Sequence, residues 1–299
     1  MKPETLLISH PLPTEKCTLG CPILDRCLGG GIPCNSITEI AAESGSGKTQ
    51  LCLQLSLCAQ LPTSLGGLSA SSLYLHTEFP FPSRRLHQLS LYFQSLYPQV
   101  FINSSNPNYQ DPCDDIFVQS INSADELLNM MPKIESFLVN STTRLPVRLI
   151  VIDSIAALFR SEFENTPSDL KKRSSLFFNI TGKLKALARR FDLAVAVTNQ
   201  VVDFMGNGDG VNGVRIGNLG CLYSSGRRVC PALGLAWANC VNSRIFLSRD
   251  DCAVVESEVG EGGFFGKQTR RRLHVVFAPH LPASSCEFEI RREGVSGVG

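Results

Sequence analysis

This chain of 299 residues lacks two features: a long apolar segment and an excess of charge of one sign. No stretch reaches the ~18 apolar residues that a membrane helix needs, and the N-terminus shows no apolar run of signal-peptide length. The chain carries 28 lysines and arginines against 27 aspartates and glutamates, so its formal net charge is +1. These absences exclude a protein held by a transmembrane helix or covered uniformly by basic groups. We expect an intracellular protein with no membrane partner, whose contacts with nucleic acid would be local.

The twelve cysteines lack the spacing of a metal site. No C-x-x-C pair occurs, and the first four, from Cys17 to Cys34, lie four, six and seven residues apart, which matches no common zinc motif. Reduced, partly buried thiols of a cytosolic or nuclear protein are the expected alternative.

Tryptophan is almost absent, because Trp237 is the only one. It stands in an apolar, helix-like run with Leu233 and Leu235. We therefore expect Trp237 in the core and not on a surface that stacks nucleic-acid bases.

Hydrophobic residues make up 43% of the chain, which is enough for a sizeable core. Residues 1–16 are expected to form an irregular tail, because prolines interrupt them. From residue 17 onward, apolar strands alternate with helical segments, a rhythm typical of an α/β fold with a mainly parallel sheet and helices on both faces. We expect strands over residues 37–41, 73–76, 116–118, 149–153 and 193–198, and helices over residues 49–61, 84–96, 124–138 and 174–191.

The alternation stops at residue 203. Residues 203–230 are rich in glycine, asparagine and serine and have no period, so we expect a long structureless loop, which is typically functional or mobile. Strands alone are predicted after it, over residues 243–248, 273–278 and 286–291. Strands without intervening helices indicate antiparallel pairing at one edge of the sheet. Residues 17–299 are therefore predicted to form one domain.

The strongest motif covers residues 42–49, where Ala-Glu-Ser-Gly-Ser-Gly-Lys-Thr matches the phosphate-binding P-loop except at its first glycine. Gly45 and Gly47 let backbone N–H groups turn inward around phosphate oxygens, and the following helix favours an anion at its N-terminus. Lys48 is expected to reach the β- and γ-phosphates, and the Thr49 hydroxyl to bind Mg²⁺. Ala42 in place of the first glycine narrows the backbone angles available at that turn.

Three further polar residues stand at the ends of predicted strands. Asp153 ends an apolar strand and is expected to hold the hydration shell of Mg²⁺. Glu78 follows the strand at residues 73–76, where it can activate a water that attacks the γ-phosphate, although an ordinary solvated glutamate is the alternative. Gln200 follows the strand at residues 193–198. Its amide can bond the γ-phosphate and signal to the long loop, or it is a polar strand cap.

With the P-loop motif, Asp153, Glu78 and Gln200 together, the chain resembles the RecA-like recombinases of eukaryotes and archaea over almost all of residues 17–299. The resemblance rests on residues 43–50, on Thr77-Glu78 with Arg85-Leu86, on residues 151–154 and on residues 198–202. Within the family, two longer segments are similar to one of the DNA-repair paralogues of the recombinases. They are Pro-Ala-Leu-Gly-Leu-Ala-Trp-Ala-Asn at residues 231–239 and Ala-Pro-His-Leu-Pro-Ala-Ser-Ser-Cys at residues 278–286.

The resemblance implies a RecA-like ATPase core that binds ATP and Mg²⁺. Lys48, Glu78 and Gln200 would be its catalytic residues, and Thr49 and Asp153 would hold Mg²⁺, with Asp153 acting through water. The implied nucleotide-binding residues are Ala42, Glu43, Ser44, Gly45, Ser46, Gly47, Lys48, Thr49 and Gln50.

Two loops of the family approach DNA, and by position they correspond to residues 161–172 and 203–229. Neither is densely basic, so a few phosphate contacts are expected, and flexible loops at a protein interface are the alternative. The candidate DNA-binding residues are Arg160, Lys171, Lys172, Arg215, Arg227 and Arg228.

Departures from the family pattern indicate weaker self-assembly. Glu78 is followed by Phe79 in place of glycine, and Pro82 stands where the family has an arginine that packs on adenine. Phe277 or Ala278 stands where the recombinases have an aspartate in the segment that caps a neighbour's ATP. His280 in that segment would face such a nucleotide or be a surface histidine. The family's small N-terminal helical domain is expected to be absent, since only the short tail precedes the core.

The expected function is that of a recombination mediator with weak, Mg-dependent and DNA-dependent ATPase activity. It would act with another RecA-type paralogue on single-stranded or branched DNA, promoting assembly of the central strand-exchange recombinase or processing junctions. It would serve the repair of double-strand breaks and crosslinks, and meiotic recombination. Its expected compartment is the nucleus, with a cytoplasmic pool. The alternatives are a self-assembling recombinase with strand-exchange activity and a small-molecule P-loop kinase. The loop after Gln200 does not resemble a kinase lid, which usually carries several arginines.

Overall fold

A computed structural model describes residues 14–78, 80–101, 111–140, 142–160, 166–204, 222–255 and 265–299. Within these ranges the helices are α1 (Pro22–Cys27), α2 (Lys48–Cys58), α3 (Ser83–Leu96), α4 (Pro98–Phe101), α5 (Ala124–Asn140), α6 (Pro167–Phe191) and α7 (Gly234–Ala238). The strands are β1 (Lys16–Cys17), β2 (Ile32–Pro33), β3 (Ser36–Ala42), β4 (Ser71–His76), β5 (Ile116–Ser120), β6 (Val147–Asp153), β7 (Ala194–Asn199), β8 (Val201–Asp203), β9 (Leu222–Ser224), β10 (Arg227–Pro231), β11 (Ser243–Val255), β12 (Phe265–Phe277), β13 (Ser285–Ile290) and β14 (Val295–Gly297).

Nine of the described strands form one sheet in the order β14-β13-β12-β11-β3-β7-β6-β4-β5. All neighbours from β11 to β5 are parallel, and those from β11 to β14 are antiparallel. Because both faces of the parallel part are covered, all six residues of β7 are buried. The predicted fold class, with its antiparallel C-terminal edge, is confirmed.

The pleat of the central strands divides the core in two. Val151 of β6 packs on the face covered by α2 and α3, in one cluster with Leu53 and Leu86. Its neighbours Ile150 and Ile152 point to the opposite face, which α5, α6 and α7 cover. Trp237 of α7 is fully buried there, with its ring 5.3 Å from that of Phe177, so its predicted core position is confirmed.

Helix α6 begins earlier than the predicted boundary at residue 174. The Thr166 hydroxyl accepts a hydrogen bond from the Asp169 N–H, and Pro167 occupies the first turn, where its missing N–H costs nothing. Lys171 and Lys172 therefore lie on a helix and not in a loop. The hairpin of β11 and β12 is also longer than predicted, with 13 residues in each strand.

The prediction of a structureless segment over residues 203–230 was wrong for its described part. Ser225 and Gly226 both have positive φ, 52° and 72°, as a two-residue hairpin turn of type I′ requires. This turn joins β9 to β10, and β10 also pairs with β8, giving a three-stranded antiparallel sheet. Residues 205–221 of the predicted loop, including Arg215, lie outside the described residues.

The described cysteines are the free, partly buried thiols that the sequence predicts. The ten cysteines whose side chains are described are all free thiols, and six of them are buried. No helix in the described ranges is both long and apolar enough to cross a bilayer.

Candidate functional site

The turn between β3 and α2 has the backbone of a phosphate-binding loop. Gly45 and Gly47 have φ of 78° and 106°, which favour glycine. A Cβ at Gly47 would also lie 2.6 Å from Cδ1 of Ile290. Ala42 is the last residue of β3 and is buried in extended backbone, so the position of the first motif glycine does not need glycine's freedom.

Lys48 begins α2 and turns its ammonium back toward the loop. Nζ donates to the carbonyl oxygens of Ala42 and Glu43 at 2.8 and 3.0 Å. Burial lowers the pKa of Lys48, while the negative charges of Asp153 and Glu78 oppose this shift. A phosphate beside the ammonium would raise the pKa of Lys48, as these carboxylates do, and so stabilise its charged form. The position therefore favours an anionic ligand.

Asp153, at the end of β6, accepts hydrogen bonds from three hydroxyl groups. Its Oδ2 accepts from Thr49 and from Tyr74, both at 2.7 Å, and its Oδ1 accepts from Thr198 at 2.6 Å. Burial and then the charge of Asp153 raise the pKa of Tyr74 well above its ordinary value, so the phenol remains a donor. The Thr49 hydroxyl and the Asp153 carboxylate are the hard oxygen ligands that Mg²⁺ prefers, and this donor set fits the ion.

Glu78 lies against Gln200 and Arg160. Gln200 Nε2 is 2.9 and 2.8 Å from the two carboxylate oxygens, and Arg160 Nη2 is 3.4 Å from Oε1. The Glu78 side chain remains 26% exposed, so a water molecule can reach it. A carboxylate in this place can orient and deprotonate an attacking water.

One cavity of about 860 Å³ brings these residues together. Lys48, Thr49, Glu78, Asp153 and Gln200 all line it, and its volume suits a nucleotide-sized ligand. The convergence follows from the topology, because the C-terminal ends of parallel strands meet at one edge of the sheet. The assigned roles of these residues remain predictions, but their common location does not depend on those roles.

Glu43, the second residue of the P-loop motif, holds the β9–β10 hairpin. Its Oε1 accepts from the hydroxyls of Ser224, at 2.8 Å, and Ser225, and its Oε2 accepts from Arg227 Nη2 at 3.0 Å. Burial opposes ionisation of Glu43, but the bonds from Ser225, Ser224 and Arg227 outweigh it, so its pKa lies below the ordinary value. The P-loop and the strand that follows residues 205–221 are thus directly connected.

At the opposite end of the motif, Gln50 contacts Arg85 of α3. Arg85 Nε donates to Gln50 Oε1 at 2.7 Å, and its two terminal nitrogens donate to the carbonyls of Arg292 and Arg291, each at 2.7 Å. Arg85 therefore ties α2 and α3 to the C-terminal segment at the edge of the cavity.

The described candidate DNA-binding residues do not all lie at one place. Arg160 and Arg227 line the cavity with the P-loop. Lys171 and Lys172 are exposed on the first turns of α6, and the Arg228 guanidinium lies 5.0 Å above the Phe204 ring. A DNA contact for any of them remains a prediction.

Sequence reasoning missed the contributions of Tyr74, Asp203 and Arg227 to this site. Tyr74 gave no signal, since a tyrosine inside an apolar strand resembles any core residue. The Ser-Gly pair at residues 225–226 was a usable turn signal that would have placed Arg227 at the start of a strand.

Comparison with known proteins identifies a family and several relatives of this chain. The family described as Rad51 matches residues 14–216. The chain is 61% identical over 302 residues to the DNA repair protein XRCC3 homolog of Arabidopsis thaliana, an alignment that covers 100% of the chain and 98% of the relative. It is 37% identical to the mouse DNA repair protein XRCC3, over 97% of the chain and 77% of the relative. Mouse DNA repair protein RAD51 homolog 2 is 30% identical over 98% of the chain and 78% of its own length.

Proposed function

Because the chain belongs to the Rad51 family, we propose that it is an ATP-binding mediator of homologous recombination, in repair of double-strand breaks and crosslinks and in meiosis. The observation that carries the proposal is the convergence of Lys48, Thr49, Asp153, Glu78 and Gln200 in one cavity. The names of its relatives at 61% and 37% identity describe DNA repair proteins.

In this proposal Lys48 and the loop N–H groups bind the phosphates of ATP, and Thr49 and Asp153 hold Mg²⁺. The ion supplies charge neutralisation on the phosphate oxygens when it is bound. Glu78 orients the attacking water and accepts its proton, and Gln200 holds Glu78. The proposed ATPase activity is weak, and in it Gln200 fixes the direction of the Glu78 carboxylate by bonding both of its oxygens.

The proposed partners are another RecA-type paralogue, the central strand-exchange recombinase, and single-stranded or branched DNA, and the proposed compartment is the nucleus. Mediation is favoured over self-assembly by the C-terminal cap segment. Phe277 or Ala278 stands where a recombinase has aspartate, and the Phe277 ring packs 5.3 Å from the buried Arg244 guanidinium. The segment therefore offers no carboxylate at that place to a neighbouring subunit's nucleotide site.

Nucleotide-dependent association tests the proposal. The full chain would be co-purified with candidate RecA-type paralogues, with and without Mg-ATP, as wild type, as Lys48→Ala and as Lys183→Ala. Lys183 is an exposed lysine on α6 and serves as the matched control. We expect a discrete heteromer from wild type and Lys183→Ala, with ATP binding lost in Lys48→Ala.

Two outcomes would count against mediation. Helical filaments of this chain alone on single-stranded DNA, with DNA-stimulated hydrolysis, would favour a self-sufficient recombinase. Absence of both ATP binding and paralogue association in the folded wild type would reject the function altogether.

A further inference from the structure

Arg227 is presented to the nucleotide cavity by the β9–β10 hairpin. The tight turn at Ser225 and Gly226 makes Arg227 the first residue of β10. Its side chain lines the same cavity as Lys48 and Gln200, and 55% of it is exposed there.

Two carboxylates fix the direction of this guanidinium. Nη2 is 3.0 Å from Oε2 of Glu43, and Nη1 is 2.9 Å from Oδ1 of Asp203. Glu43 is itself held by Ser224 and Ser225, and its side chain is only 11% exposed. Asp203 is more exposed, at 53%, so the buried Glu43 is the main anchor. A planar guanidinium bonded to two carboxylates has little freedom to rotate, and its direction is therefore set before a ligand arrives.

The charge balance of the cavity shows why this cation matters. Its lining contains four carboxylates, from Glu43, Glu78, Asp153 and Asp203, against three cationic side chains, from Lys48, Arg160 and Arg227. All three cations already have protein partners, since Lys48 bonds the loop carbonyls, Arg160 lies beside Glu78, and Arg227 lies between Glu43 and Asp203. A triphosphate would add several negative charges to this surrounding, so Arg227 is a needed counter-charge.

We propose that Arg227 is a γ-phosphate-binding residue, supplied by the same chain and positioned by Glu43 and Asp203. The inference rests on the proposed binding of ATP and adds one specific contact to it. The terminal phosphates are favoured over the α-phosphate because Lys48, which is proposed to reach them, donates to the carbonyl oxygen of Glu43, and the carboxylate of Glu43 holds Arg227. Arg227 also lines the cavity together with Glu78, the proposed activator of the water that attacks the γ-phosphate.

The pleat of β10 separates Arg227 from Arg228. Successive side chains of a strand point to opposite faces, and Arg228 lies over Phe204 instead of in the cavity. Arg228→Ala is therefore a matched control, which removes the same charge one residue away.

Affinities for Mg-ATPγS and Mg-ADP, measured by calorimetry on the full chain, test the proposal. One charge-assisted bond is involved, so Arg227→Ala should weaken ATPγS binding by about 10- to 100-fold. ADP binding should stay within about twofold of wild type, because ADP lacks the phosphate concerned. Arg228→Ala should change neither affinity, and Arg227→Lys should lie between wild type and Arg227→Ala. Thermal melting without nucleotide confirms that each variant is folded, and Arg227→Lys carries the comparison if Arg227→Ala unfolds.

Other results would overturn the assignment. Equal weakening of ATPγS and ADP would show that Arg227 only shapes the cavity. Unchanged nucleotide affinities with reduced binding of single-stranded DNA would assign Arg227 to DNA. A folded wild type that binds neither nucleotide would reject the proposed function itself, whereas normal wild-type binding with an insensitive Arg227→Ala would reject this inference alone.

Discussion

The side-chain amide of Gln200 donates to both carboxylate oxygens of Glu78, at 2.9 and 2.8 Å. The two residues follow β7 and β4, strands that are not neighbours in the sheet, since β6 lies between them. The side chains of Glu78 and Gln200 therefore bridge the end of β6, the strand whose last residue is Asp153. The Gln200 amide thus fixes the direction in which the Glu78 carboxylate faces.

Gln200→Ala should therefore separate nucleotide binding from hydrolysis. Without the amide, Glu78 loses its orienting partner, and we expect the ATPase rate to fall by about 10- to 100-fold, because positioned acid–base groups typically contribute that much or more. The affinity for ATP should change by less than about threefold, which is a small free-energy difference. Steady-state phosphate release and calorimetric titration measure the two quantities.

Gln119→Ala is the control for that prediction, because Gln119 is an exposed amide on β5, outside the cavity. Both variants should unfold at the wild-type temperature. A Gln200→Ala protein that hydrolyses ATP at the wild-type rate would show that the contact with Glu78 has no catalytic role.

A second prediction concerns a buried ion pair that joins β3 to β11. Arg244 Nε lies 2.5 Å from Glu39 Oε2, and both side chains are at most 1% exposed. Trp237 and Asn199 donate to the other oxygen of Glu39 at 3.1 and 2.6 Å. Glu39→Gln would leave the Arg244 charge buried without its counter-ion, so we expect a loss of about 3–5 kcal/mol in the free energy of unfolding.

Urea unfolding measures this loss, and the fluorescence of the single tryptophan reports it directly. Glu135→Gln is the comparison, because it removes an ion pair with Arg190 whose side chains are 43% and 59% exposed. That loss should be under about 1 kcal/mol. Equal losses for the two variants would contradict the assigned difference between buried and exposed pairs.

Parts of this site could be predicted from sequence because they depend on strand ends. The continuous apolar runs of β3, β4, β6 and β7 fixed the C-terminal ends of those strands to within about a residue of the structure. Since these strands are parallel, the residues that follow them had to converge. That is why Lys48, Asp153, Glu78 and Gln200 could be assigned to one site.

Other parts could not be predicted, because they depend on pairings between distant segments. The hairpin that carries Arg227 lies in a stretch whose glycine and serine content hides two short strands. The pairing of Glu39 with Arg244 exists because β11 adds in parallel beside β3, whereas we expected only antiparallel pairing at that end of the chain. An acid within an apolar strand was the one available sign that Glu39 has a buried partner.

A third prediction concerns alkaline pH. Burial raises the pKa of the Cys17 and Cys52 thiols well above the ordinary value of 9.0, and raises that of Cys34 to about 11. In the unfolded chain these thiols ionise near pH 9, whereas in the folded protein they stay protonated. Their contribution to stability is therefore complete below pH 9 and is lost as the pH rises from there toward the folded-state pKa.

Cys52→Ala should reduce this alkaline loss. Between pH 9 and pH 10 one such thiol accounts for about 1 kcal/mol of the fall in the free energy of unfolding, so the wild type should lose about that much more than the variant. Ser56→Ala is the control, because Ser56 is a buried hydroxyl of the same helix that does not titrate in this range. Parallel urea titrations at the two pH values decide the matter, and identical losses for wild type and Cys52→Ala would refute the role of the thiol.

A last prediction compares two glycines. Gly47→Ala forces a side chain onto a φ of 106° and places its Cβ 2.6 Å from Ile290. We expect a cost of about 1–3 kcal/mol in stability from the backbone alone. ATP binding should be lost as well, because relief of the strain must move the N–H groups that bind phosphate. Gly182 is an exposed residue of α6, and no atom lies within 4 Å of the Cβ that alanine would add. Gly182→Ala should therefore stabilise the protein by about 0.5–1 kcal/mol and leave ATP binding unchanged. Thermal unfolding and ATP titration of both variants test the pair, and a Gly47→Ala protein with wild-type ATP affinity would show that this turn does not bind the phosphates.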